Sequence, residues 1–178
     1  MVKISLPKKI RIPKEVIIWC VIALLVVGLM YVGWNLYKEM DRSTRTTALN
    51  DAIGASQGAI LPLNGEVSDL LSSIGDRPST AECDAYMLRL RALADQGAIL
   101  TAVHRANVAS IDAPISSAGA QGAYLDALTH LHDAFTGWAA ASDAYFRYDY
   151  DGARSAIADA DLNWQAYLES IGQYRQYT

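Results

Sequence analysis

The chain has 178 residues, 52% of them hydrophobic, with two cysteines, five prolines and 12 glycines. That composition excludes a disulfide-stapled scaffold, a fibrous repeat and a disordered polymer. The net charge of −4 is unevenly spread: residues 1–15 carry five basic side chains against Glu15 alone, so residues 16–178 hold −8. An acidic body of that kind argues against nucleic acid or anionic lipid as its ligand.

Residues 1–15 (MVKISLPKKIRIPKE) contain Pro7 and Pro13, which oppose a long helix and predict a basic tail with no domain of its own. The next 22 residues, Val16 to Tyr37, carry no charge, and Asn35 is their only strongly polar side chain. A helix of that length spans about 33 Å, enough for a bilayer core of about 30 Å. Lipid offers the backbone no hydrogen-bond partners, so a single such run must be helical. Trp19 near one end, and Tyr31, Trp34 and Tyr37 near the other, fit the headgroup level, where amphipathic rings collect.

The denser positive flank is N-terminal (Lys3, Lys8, Lys9, Arg11 and Lys14 against Lys38, Arg42 and Arg45), which places that end in the cytoplasm and residues 38–178 outside it. The apolar run is longer than a signal-peptide core, and no small-residue cleavage site follows it, so it reads as an uncleaved anchor in a single-pass membrane protein. Cys20 and Cys83 then fall in different compartments and cannot pair; Cys83 reads as a small buried apolar residue.

Four helical segments follow. In the first, about 41–75, Leu49, Ile53, Ser56, Ile60, Leu63, Val67, Leu70 and Ile74 recur at alternating steps of four and three. Pro62 with Asn64-Gly65 predicts a kink or break, and Gly75 to Pro78 a stop. The second opens on Ser79 and Glu82, spaced as a capping box, and has two apolar stripes. One runs Cys83, Tyr86, Leu90, Leu93, Gly97, Leu100, His104; the other, Leu88, Ala92, Ile99, Val103 and Ala106, predicts burial on a second side.

A small-residue stretch, 111–122, is expected to be a loop before the third segment, whose stripe is Tyr124, Leu128, Leu131, Phe135, Trp138, Ser142 and Tyr145. Asp149 to Gly152 is a turn, with Asp151 able to cap the fourth segment, which carries Ala153, Ile157, Ala160, Trp164, Tyr167, Ile171 and Tyr174. No strand pattern is present. The reading is all-α: an N-terminal transmembrane helix followed by an up-down four-helix bundle.

The chemistry-bearing residues are sparse. His104 and His132 could meet in the bundle core, but no Glu-x-x-His partner accompanies them, so they are read as structural and no cofactor or metal is expected. Asp149, Asp151 and Gly152 imitate part of a calcium loop that fails at Arg147 and Ala158. No nucleophile, base and oxyanion set can be assembled, so no enzyme is expected.

Candidate partner-binding residues are the surplus tyrosines Tyr148, Tyr150 and Tyr177, since exposed aromatics favour interfaces. Gly54 and Gly58 join them as a small-x-x-x-small pair whose first use is close packing within the bundle and whose second is a partner helix. The expectation is an accessory subunit of a membrane assembly that docks on other subunits or on itself. The alternative is an extracytoplasmic sensor or ligand-binding domain that signals through a partner.

Overall fold

The computed structural model describes residues 14–73 and 78–177, with side chains from residue 26 onward. Four helices account for almost all of them: α1 (Lys14–Ser72), α2 (Thr80–Ala109), α3 (Ile115–Phe146) and α4 (Tyr150–Tyr174). The chain divides into two compact units, residues 1–43 and Thr44–Thr178, and α1 contributes to both.

The second unit is an up-down four-helix bundle. Glu66 of α1 pairs with Arg89 of α2 at 3.1 Å, and Arg45 with Asp112, so α1 and α2 run antiparallel. Ser142 of α3 donates to the Met87 carbonyl of α2, and Trp138 of α3 packs on Trp164 of α4. Asn64 of α1 donates to the Tyr167 hydroxyl of α4 at 3.2 Å and closes the ring. Across the middle, Tyr124 of α3 donates to Ser56 of α1 at 2.9 Å.

The α1 seam is buried as its spacing predicts: Leu49, Ile53, Ser56, Ile60, Leu63 and Val67 are inside and Leu70 is half-buried, while Ile74 lies outside the described residues. The expected break at Pro62 is absent, and α1 runs through it. Pro62 is on the solvent side, as is Gly58 one turn earlier, so water can take the Gly58 carbonyl that loses its amide partner. The proposed stop at Gly75–Arg77 falls outside the described residues.

The capping box forms as read. The Glu82 amide donates to Ser79 Oγ at 3.3 Å, and the Ser79 amide donates to Glu82 Oε2 at 2.7 Å. The Ser79 amide chiefly, and the Ser79 hydroxyl that also donates to Oε2 at 2.7 Å, hold the Glu82 carboxyl below its ordinary value.

Two boundaries differ from expectation. Most of the small-residue stretch is helix, because α3 starts at Ile115 directly after Pro114. Gln121 then reaches back and donates to the Val108 and Ile111 carbonyls at 2.8 and 2.7 Å, satisfying acceptors at the end of α2. At the α3–α4 turn, Asp149 rather than Asp151 is the cap: its Oδ1 accepts from the Gly152 amide at 2.9 Å. A Cβ on Gly152 would meet that carboxylate at 2.2 Å, so any other residue there would make the capping side chain shift.

The α2 stripes are decided by packing. Met87, Leu90, Leu93, Ala94, Gly97, Thr101 and Val108 face inward. The second stripe does not: Leu88, Ile99 and Val103 are 58%, 66% and 50% exposed, and Ala92 and Ala106 are also exposed. A helix at the corner of a four-helix bundle touches neighbours on one broad face only, so its opposite stripe stays outside.

In the first unit, the described apolar side chains from Val26 to Tyr37 are exposed, Leu29 at 73% and Met30 at 71%. Trp34 and Tyr37 stack at 6.2 Å, and Lys38 Nζ lies 5.3 Å above the Trp34 ring. Among the described residues no helix is long and apolar enough to cross a membrane. Residues 16–25 of the expected span, Trp19 included, lie outside the residues with described side chains.

Candidate interaction surface and cavity

The aromatic-rich end of the bundle is built by the α3–α4 turn. Tyr148 donates its amide to the Tyr145 carbonyl, and Asp149 donates to the Ala144 carbonyl, both at 2.9 Å. This is the Schellman ending of a helix, whose left-handed position is usually glycine. Here that position is Tyr148, at φ 62°. Holding a residue with a Cβ there costs about 1–2 kcal/mol, and the ring it presents is 81% exposed. Tyr150, at 56%, stands on the same turn and meets the half-buried Tyr145 edge-on at 5.8 Å. Tyr145 also packs against Phe146 and donates to Asp84 of α2 at 2.9 Å.

The outward α2 stripe starts at this same end. Ala81, Ala85, Leu88, Ala92, Ile99, Val103 and Ala106 are all exposed and follow one another three, four or seven residues apart. Asp95 is the one charge interposed on that row, and it sits 3.7 Å from Arg91. Sequence reading assigned the larger members of this row to the core, because apolar spacing alone cannot tell an inner face from an outer one.

The other candidate residues lie elsewhere. Tyr177, 61% exposed, rests against Gly119 near the start of α3, at the opposite end from Tyr148. Gly54 and Gly58 face outward on α1 with nothing within 4 Å of where a Cβ would stand, so they are not used for packing inside the bundle. Of the anchor residues, Tyr31, Trp34 and Tyr37 are on the first unit, 59–68% exposed.

His132 Nδ1 lies 3.0 Å from the Ala98 carbonyl and 3.2 Å from Thr101 Oγ1. A carbonyl only accepts, so Nδ1 carries the proton. Among the described residues no group of three or more His, Cys, Asp or Glu is arranged to hold a metal ion.

A cavity of about 640 Å³ opens at the Tyr145 end of the bundle. All four helices line it: Leu70 from α1, Tyr86 and Leu90 from α2, Trp138 and Tyr145 from α3, Ile157 from α4. Cys83, expected in the core, is half-buried on its wall, and Glu82 and Arg89 complete the lining. Burial pushes the Tyr86 hydroxyl above its ordinary value, with the Asp161 charge adding to it. The bond to Asp84 raises Tyr145 to about 12. Trp138 Nε1, buried beside this cavity, has no hydrogen-bond partner.

No protein-family model, no curated protein and no solved structure matches this chain.

Proposed function

We propose that this chain is a single-pass membrane protein whose helical bundle is a docking module for another subunit of a membrane-associated assembly. Residues 16–37 cross the bilayer, with the basic tail in the cytoplasm and residues 38–178 outside. The uncharged sequence of that run supports the crossing, and so does the exposure of Val26 to Tyr37, since a row of bare apolar side chains needs lipid or protein over it. Trp34 and Tyr37, with Lys38 lying over the Trp34 ring, suit the outer headgroup level.

The observation that carries the docking role is the outward stripe of α2. A row of Leu88, Ile99 and Val103 separated by alanines offers a partner helix large apolar knobs with small residues between them. Tyr148 and Tyr150 extend that surface at the end of the bundle, where rigid rings bury much area at little entropic cost. The occupant is a helix of a second membrane-associated subunit.

Crosslinking in native membranes tests this. The full chain yields a defined heterologous adduct, and Leu88→Glu with Ile99→Glu abolishes it while the bundle keeps its helical circular dichroism. An adduct containing only this chain would instead assign the surface to self-association. Extraction by carbonate, or protection of residues 44–178 from protease added to intact cells, would remove the membrane reading.

A further inference from the structure

We propose that the cavity between Tyr86, Trp138 and Tyr145 is a binding site for an apolar organic cation, of the quaternary or tertiary ammonium class. The inference goes beyond the docking role and depends on neither the membrane topology nor the α2 stripe. Its volume, about 640 Å³, falls within the range of about 300–1,000 Å³ occupied by small-molecule sites.

Three aromatic side chains contribute to its wall, one from α2 and two from α3: Tyr86 and Tyr145 are half-buried and can offer ring surface to a ligand, while Trp138, 1% exposed, backs them. Aromatic faces carry negative potential and attract a desolvated cation, and grouped rings are the usual way to bind an alkylated ammonium. Leu70, Leu90 and Ile157 add the apolar surface that would cover its hydrocarbon part.

The charges around the cavity select the same sign. Glu82 is on the lining, Asp84 holds the Tyr145 hydroxyl, and the Asp161 charge acts on Tyr86. Among the described lining residues Arg89 is the basic one, and Glu66 pairs with it at 3.1 Å. With Arg89 paired, Glu82 is the charge left on the described lining, which disfavours a carboxylate or phosphate ligand and favours a cation.

Cys83 lies on the wall, so a bound molecule shields its thiol from alkylation. The test uses the full chain carrying Cys20→Ala, purified in a non-ionic detergent. Phenyltrimethylammonium is compared with its uncharged isostere tert-butylbenzene and with benzoate. Thermal unfolding under the same three probes gives a second measurement. The cation is expected to slow Cys83 alkylation and raise the unfolding midpoint at concentrations at least 10-fold below those needed by the other two. Tyr86→Leu, which keeps an apolar side chain, and Glu82→Gln, which can keep the helix cap, each weaken the cation's effect several-fold and the neutral probe's by less. Equal or better protection by tert-butylbenzene or benzoate, persistence of the cation's effect in both variants, or no response in either measurement would overturn the proposal.

Discussion

Helices α2 and α3 are similar in length and both carry more apolar residues than one face can hold, yet they spend them differently. α3 turns Tyr124, Leu128, Leu131, Phe135 and Trp138 inward, all of them at most 2% exposed. α2 buries Leu90, Leu93 and Val108 with smaller or more mobile groups between them (Met87, Ala94, Gly97, Thr101), and leaves Leu88, Ile99 and Val103 in solvent. The large α3 side chains need room, and α2 supplies it: a Cβ on Gly97 would lie 2.5 Å from the Phe135 ring. The bulk of one helix and the smoothness of its neighbour are thus a single packing solution, and the outer residues of α2 are left without a part in it.

That contrast is sharpest in mutational stability. Trp138→Ala should cost about 3–5 kcal/mol, read from urea or thermal unfolding, because the emptied volume lies among rings from α3 and α4. Gly97→Ala should cost about 1–3 kcal/mol, although alanine is the better helix former, since the Phe135 ring must shift. At the start of α2, Ser79→Ala should cost about 1 kcal/mol. Tyr148→Gly should instead stabilise the bundle by about 1 kcal/mol by relieving a left-handed φ. A loss of stability there would show that the ring packs within the bundle. Val103→Gln, on the outer stripe, should change stability by no more than about 0.5 kcal/mol. A large loss would mean that the stripe is covered within the chain.

Alkali provides a separate check on the core. Burial is the main cause that pushes the Tyr124 hydroxyl up to about 12, against an ordinary value of 10. The fold therefore favours the neutral phenol. Its contribution is fully present below pH 10 and is lost as pH rises towards 12. Tyrosinate absorbance should show one tyrosine class titrating together with unfolding, and Tyr124→Phe should remove part of that coupling. Glu82 works in the opposite direction: its carboxyl lies below its ordinary value, so the cap stabilises α2 above that value and is lost as pH falls through the lower one.

Individual residues show which features local chemistry could reveal. The capping box at Ser79 and Glu82 was legible because its partners are three residues apart and need nothing else. The α1 seam was legible because one stripe admits one orientation. The loop expected before Tyr124 was misread because alanine and serine suit helices as well as loops, and Gln121 is placed by carbonyls on another element. The turn expected at Asp149–Gly152 falls at 147–149, with α4 already helical from Tyr150, and is capped from Asp149 rather than Asp151, since the left-handed Tyr148 carries no glycine to announce it. Of the candidate contact residues, Tyr148 and Tyr150 share one turn, whereas Tyr177 and the Gly54–Gly58 pair lie apart from it. The cavity had no sequence signature, because Tyr86, Trp138 and Ile157 come from three helices.

The amino-acid order by itself determined four helices, the face that α1 and α3 bury and, apart from the exposed Ile157, that of α4, and the uncharged run at residues 16–37, because periodicity, capping and charge density act within a few turns of chain. Tertiary structure alone decided which α2 stripe is inside, where the aromatic rings gather, and that a cavity opens among them. Those outcomes depend on how side chains from separate helices share one volume, and no single helix encodes that sharing.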